Sequence, residues 1–189
     1  MKHVKAFVLL AVIATALLAS AGTATATTIT SPTGTTYTGE FVAEAVIPVE
    51  IHGPTTTECA QSTIKAQVES HGSGVTVTGN VSTLTFSGCD RHVVVVSKGS
   101  ISIHHRSGYD GTRTLNGTSF TITDTSLGLT CTYTTSNTEI GTDTGGGPAS
   151  LDVESAAIPR TGGSFFCGSS AQVTGFYKTT TPNPFLVDS

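Results

Sequence analysis

Beyond its first 26 residues, the chain's apolar side chains fall at every second position, and the i, i+3, i+4 spacing of an amphipathic helix is nowhere sustained. A period of two sends successive side chains to opposite faces of an extended backbone, so the chain is confined to half-buried strands. In AVIPVEIHG, Ile47, Val49 and Ile51 oppose Glu50 and His52. In STIKAQVES, Ile64, Ala66 and Val68 alternate with Lys65, Gln67 and Glu69. The 36 threonines reinforce this, because a β-branched side chain disfavours helix and packs well on a pleated surface.

The rest of the chain can be read on that basis. Between Val81 and Leu84 the parity of the apolar residues shifts, which predicts a turn or bulge near Asn80. The run RHVVVVS is apolar on both sides and reads as a central strand covered on both faces, or as a strand at a subunit interface. In RTLNGTSFTIT, Asn116-Gly117 suits a two-residue hairpin turn and places Leu115, Phe120 and Ile122 on one face. LGLTCTY aims Cys131 into the core, and TTSNTEIGTDTGGGP, residues 134 to 148, reads as a mobile surface loop. About ten to twelve short strands with frequent turn signals predict an all-β antiparallel β-sandwich, with a closed barrel as second choice.

The first 26 residues stand apart. Lys2 and Lys5 precede an apolar run from Ala6 to Ala19, and Ala24-Thr25-Ala26 offers a small-x-small cleavage site, with Ala19-Ser20-Ala21 as an alternative. That is the pattern of a secretory signal peptide, too short to span a membrane. Residues 27 to 189 are then expected to form a single all-β domain, extracellular, periplasmic or at the cell surface. Without Lys2 and Lys5, seven basic side chains face 13 acidic ones, a net charge of −6 with no basic block. Nucleic acid and anionic membrane are poor partners for such a surface, and no membrane insertion is expected once the signal peptide is removed.

Four cysteines, Cys59, Cys89, Cys131 and Cys167, are an even number in a chain bound for export and predict two disulfides. Three pairings are possible. Cys59 with Cys89 and Cys131 with Cys167 are favoured, because each encloses one patterned, hairpin-like segment. No C-x-x-C spacing points to a metal, and no cofactor is expected.

Candidate chemistry is sparse, and no catalytic residue is assigned. His104 and His105, with Asp110 nearby, form the densest group of reactive side chains, yet neighbours on a strand face opposite ways and His52, His71 or His92 would have to join them. Asp152 and Glu154 lie two apart on one strand face, too few oxygens for Ca²⁺. G-x-S-x-G and H-E-x-x-H are both missing. Ile158-Pro159-Arg160-Thr161-Gly162 is similar to the LPxTG sorting signal, but Cys167 and a strand-like segment follow it where an apolar span belongs. The stretch IPRTGGSFFCG reads instead as a corner: Pro159 ends a strand, Gly162-Gly163 permit positive φ, and Phe165 or Phe166 enters the core beside Cys167.

The C-terminal half, with CTY at 131, GG at 145, IPRTGGSFFCG at 158, TGFY at 174 and TP at 181, resembles a group of short secreted bacterial proteins of unknown function. The resemblance implies export, an all-β domain and the Cys131–Cys167 pairing, and carries no activity.

These readings together point to an exported, non-enzymatic module that binds a protein or envelope component, or serves as a structural surface component, with free strand edges as its contact surface. The alternatives are a secreted hydrolase or metal-dependent enzyme using His104, His105 and Asp110, and a secreted enzyme inhibitor presenting the 134 to 148 segment.

Overall fold

The computed structural model describes residues 27–30, 34–69 and 76–189; the predicted signal peptide and His71 lie outside them. Fourteen strands are found among the described residues: β1 (Thr28–Thr30), β2 (Thr38–Ala45), β3 (Val49–His52), β4 (Thr56–Glu69), β5 (Val77–Cys89), β6 (His92–Ser97), β7 (Ser100–Ser107), β8 (Asp110–Asn116), β9 (Ser119–Asp124), β10 (Leu129–Thr134), β11 (Thr138–Thr144), β12 (Ala149–Gly163), β13 (Ser170–Thr181) and β14 (Leu186–Asp188). All pairings are antiparallel, and a single 3-10 turn, Phe165–Cys167, is the one helical element described.

β2 and β3 are halves of one strand, interrupted at residues 46 to 48, and both lie between β4 and β13. From there the order runs β4, β5, β7, β8, β11, β12, β13 and back, so the sheet closes on itself as an eight-stranded up-and-down barrel. Of the two architectures that alternation permits, the barrel is adopted. Eight strands enclose an interior that side chains nearly fill: of the inward residues read in the sequence, Val49, Ile51, Ile64, Ala66, Val68 and Leu115 are buried, as are Leu151, Val153 and Tyr177, whereas Ile47 falls in the break between β2 and β3 and is 53% exposed. Phe176, on the opposite face from Tyr177, is 36% exposed.

The parity shift is a bulge two residues beyond Asn80. Val81 pairs with Ala66 and Thr83 with Lys65, leaving Ser82 as the extra residue and keeping both Val81 and Leu84 in the core.

β6, β9 and β10 continue the barrel strands as a flap, joined to the barrel through the last residues of β12. Three corners side by side make the passage, at Lys98-Gly99, Asn116–Thr118 and Thr135–Asn137. Gly117 donates its N–H to Thr135 O at 2.9 Å, Thr135 donates to Thr118 O at 2.8 Å, and the Thr118 hydroxyl donates to Lys98 O at 2.7 Å. At Gly99 φ is +66°, and a Cβ would stand 2.3 Å from Asn116 O, so the corners nest only because that residue is glycine.

The structure corrects four further sequence expectations. Asn116-Gly117 is not a hairpin: Gly117 has the positive φ of 70° that the dipeptide signals, but β8 pairs with β7 and β11 while β9 pairs with β10 and β6. The local signal fixes the bend and says nothing of the partners. The valine run is not a doubly covered strand, because β6 ends the sheet; Val93 and Val95 pack on the core, while Val94 and Val96 are 43% and 65% exposed. Residues 134 to 148 are not a loop, since β11 runs through them between β8 and β12 with Ile140 and Asp143 buried. Pro159 does not end a strand: β12 continues through it to Gly163, and Phe165 and Phe166 point outward, 86% and 74% exposed.

The disulfides are Cys59–Cys89 and Cys131–Cys167. The first joins facing residues of β4 and β5, and the second ties the turn after β12 to β10. Tyr133 reinforces the second by donating its hydroxyl to Cys167 O at 2.8 Å. At one end of the barrel, β1 and β14 pair beside Phe185, whose ring meets Phe41 edge-on at 5.5 Å. Arg113 is wholly buried there, forked onto the equally buried Asp143, with its guanidinium 4.1 Å from the Phe41 ring centre.

Candidate functional site

Among the described residues the barrel wall lacks a ladder between β5 and β6. β5 pairs with β4 from Thr78 to Cys89, but on its other side it pairs with β7 only from Val77 to Asn80. Among the described residues β6 pairs with β9 alone. The stretch from Ser82 to Gly88 therefore faces β6 with no ladder between them, although the two strands are consecutive in the chain.

Both ends of this opening are pinned. At one end Val81 donates its N–H to Gly99 O at 3.1 Å, and Lys98 Nζ donates to Ser82 O at 2.6 Å. At the other, the Asp90-Arg91 turn is held to β4: Asp90 donates its N–H to Glu58 O and accepts from the Glu58 N–H, both at 3.0 Å, next to the Cys59–Cys89 bridge. The cleft above this pinned end has a volume of about 630 Å³ and is lined by Phe86, Gly88, Asp90, Arg91, His92 and Asp124, among others.

Asp124 organises the pinned end. Its Oδ2 accepts from Arg91 Nε at 2.9 Å and from the Thr55 hydroxyl at 3.1 Å, while Oδ1 accepts from the Ser126 N–H and hydroxyl and from the Leu127 N–H. One carboxylate thus ties together the β3–β4, β5–β6 and β9–β10 turns. The Ser126 bonds, followed by that of Arg91, hold it well below the usual carboxylate range, against the opposing effect of burial. Arg91 also donates to Thr56 O and to Asp90, so its charge is spent on the scaffold rather than offered to the cleft.

Behind the opening lies a cavity of about 40 Å³ inside the barrel, lined by apolar side chains together with Thr118 and Tyr177. Neither hydroxyl is left wanting: that of Thr118 donates to Lys98 O, and that of Tyr177 donates to Ser62 Oγ at 3.0 Å. Burial pushes the Tyr177 phenol up to about 12, so it stays a neutral donor. A space of this chemistry is dry. Phe86 belongs to the lining of both cleft and cavity, and its ring lies 6.1 Å from that of Phe120.

His104 and His105 are consecutive on β7, opposite Thr112 and Gly111 of β8. The His105 ring nitrogen Nε2 lies 3.1 Å from Gly108 O, and Asp110 accepts the Gly145 N–H at 3.0 Å, so both are engaged by nearby backbone. His52 lies on β3 against Glu50 and Thr56, whereas His92 lines the cleft. Glu154 falls in a bulge between Val153 and Ala156, out of register with Asp152. Among the described residues no three His, Cys, Asp or Glu side chains gather in a metal-binding group.

The residues that shape the opening, Arg91, Asp124 and Phe86, were not singled out by sequence. Asp124 heads the turn DTSLG, and an aspartate bonding N–H groups two and three residues on is a recognisable turn signal. Its bond to Arg91, 33 residues away, leaves no local trace. No family model, curated protein or solved structure matches the chain.

Proposed function

We propose that this chain is an exported, non-enzymatic binding module that takes up an extended polypeptide segment in the opening between β5 and β6. The observation that carries this is the missing ladder: two strand edges face each other across an opening pinned at both ends. An unpaired edge is a template for strand addition, and a second edge opposite it would let an incoming strand pair on both sides. The fixed ends set the aperture beforehand, which lowers the ordering cost of binding. Two disulfides and the absence of any membrane-crossing helix among the described residues fit an oxidising, extracytoplasmic setting.

The test is selection of seven-residue peptides from a random displayed library on the oxidised chain, residues 27 to 189, followed by mapping of amide shifts on binding. Perturbations concentrated at Ser82–Gly88 and Val93–Ser97 are expected. A footprint on the His104 and His105 face would transfer the function to those side chains.

A further inference from the structure

Resting on that reading, we infer that the segment taken up carries an aliphatic side chain at its centre, which enters the barrel and fills the cavity behind Phe86. The inference follows from strand geometry. A strand seated between β5 and β6 lies in the barrel wall, so alternate side chains point into the interior, level with the inward row of Leu84 and Phe86 on β5 and of Val93 and Val95 on β6. Beneath that row is the dry cavity, with Leu84, Phe120, Ala156, Val173 and Ile158 in its walls.

The cavity's chemistry selects the side chain. Its hydroxyls are already hydrogen-bonded within the barrel, so a polar or charged group entering it would lose its water without gaining a partner. Its volume of about 40 Å³ exceeds what one water needs and falls well short of the space that holds a benzene ring. Valine or leucine fits that range. An aromatic ring would require Phe86 to swing out into the cleft.

A seven-residue threonine and serine host peptide, with valine, leucine, serine, aspartate or phenylalanine at its centre, provides the probe. Affinity for the oxidised chain is measured by titration calorimetry, and gap-facing amides are followed by hydrogen exchange. Valine and leucine peptides are expected to bind about ten-fold or more tighter than serine and aspartate peptides. Ala156→Leu, which fills the cavity and leaves the strand edges untouched, should erase that preference while the serine peptide binds as before. Phe86→Ala should raise affinity for the phenylalanine peptide about ten-fold, an independent arm if Ala156→Leu folds poorly. Equal binding of all five peptides, with protection at β5 and β6, overturns the aliphatic anchor and leaves strand capture standing. No protection by any peptide sinks both. A concentration-dependent dimer with protected β6 amides in sedimentation and exchange experiments assigns the opening to a second copy and likewise overturns the inference.

Discussion

Arg91 donates its Nε–H to Asp124 Oδ2 at 2.9 Å, fastening the turn that joins β5 and β6 to the end of β9. The pair holds the turn that connects these two unladdered strands against the flap. Asp124→Asn removes the charge and is expected to lower stability. The sign follows from the depressed acidity: a carboxylate held below its ordinary value of 3.8 contributes stability that is complete above that pH and lost as pH falls below it. Urea unfolding across the acid range should therefore show wild type and variant far apart at neutral pH and converging below 3.8.

At the opposite end of the barrel, Arg113 and Asp143 form an ion pair with no exposed surface. Asp143→Asn or Arg113→Met alone leaves the partner's polar group stranded and is expected to cost about 3 to 5 kcal/mol, whereas Arg113→Met with Asp143→Leu should come close to wild type. Burial pushes Asp143 up to about 6 and draws Arg113 down, with the pair's mutual attraction opposing both shifts. A carboxylate raised on folding binds protons more readily in the native state, so this group makes stability fall as pH rises from 3.8 to about 6. The double variant should lack that downward contribution in chemical denaturation at graded pH.

The disulfides close loops with sequence separations of 30 and 36 residues. Replacing either pair by serine is expected to cost about 2 to 5 kcal/mol, measured as a shift of the urea midpoint. Loss of Cys59–Cys89 should in addition speed amide exchange around Asp90, since that bridge sits beside the pinned end of the opening.

Phe165 and Phe166 meet edge-on, their ring centres 6.3 Å apart, and are otherwise held outward by the turn that Cys167 anchors. Phe165→Ser with Phe166→Ser should change stability by no more than about 0.5 kcal/mol, as for surface positions generally. A core role, as their sequence context implies, would cost several times that.

What was legible in the sequence is what depends on local period. The inward residues of β3 and β4 and the inward Cys131 of β10 follow from alternation alone, the bulge near Asn80 from a change of parity, and the two disulfides from how their cysteines bracket patterned segments. What was illegible depends on which strands meet. Asn116-Gly117 announces a bend, but whether the flanking strands pair is decided by Thr135 and Lys98, which bond to the corner from other connections. The valine run looks the same whether its outer row meets a second layer or solvent. The opening could not have been foreseen, because it consists of a pairing that does not form.

Amide hydrogen exchange of the oxidised, ligand-free chain, resolved by residue along β5 and β6, tests the central claim most directly. Gap-facing amides of Ser82–Gly88 and Val93–Ser97 are expected to exchange markedly faster than those of Val77–Asn80, which lie on the same strand but are laddered to β7. Uniform protection along β5 and through β6 would mean that the two strands pair in solution, the wall is closed, and no site exists there.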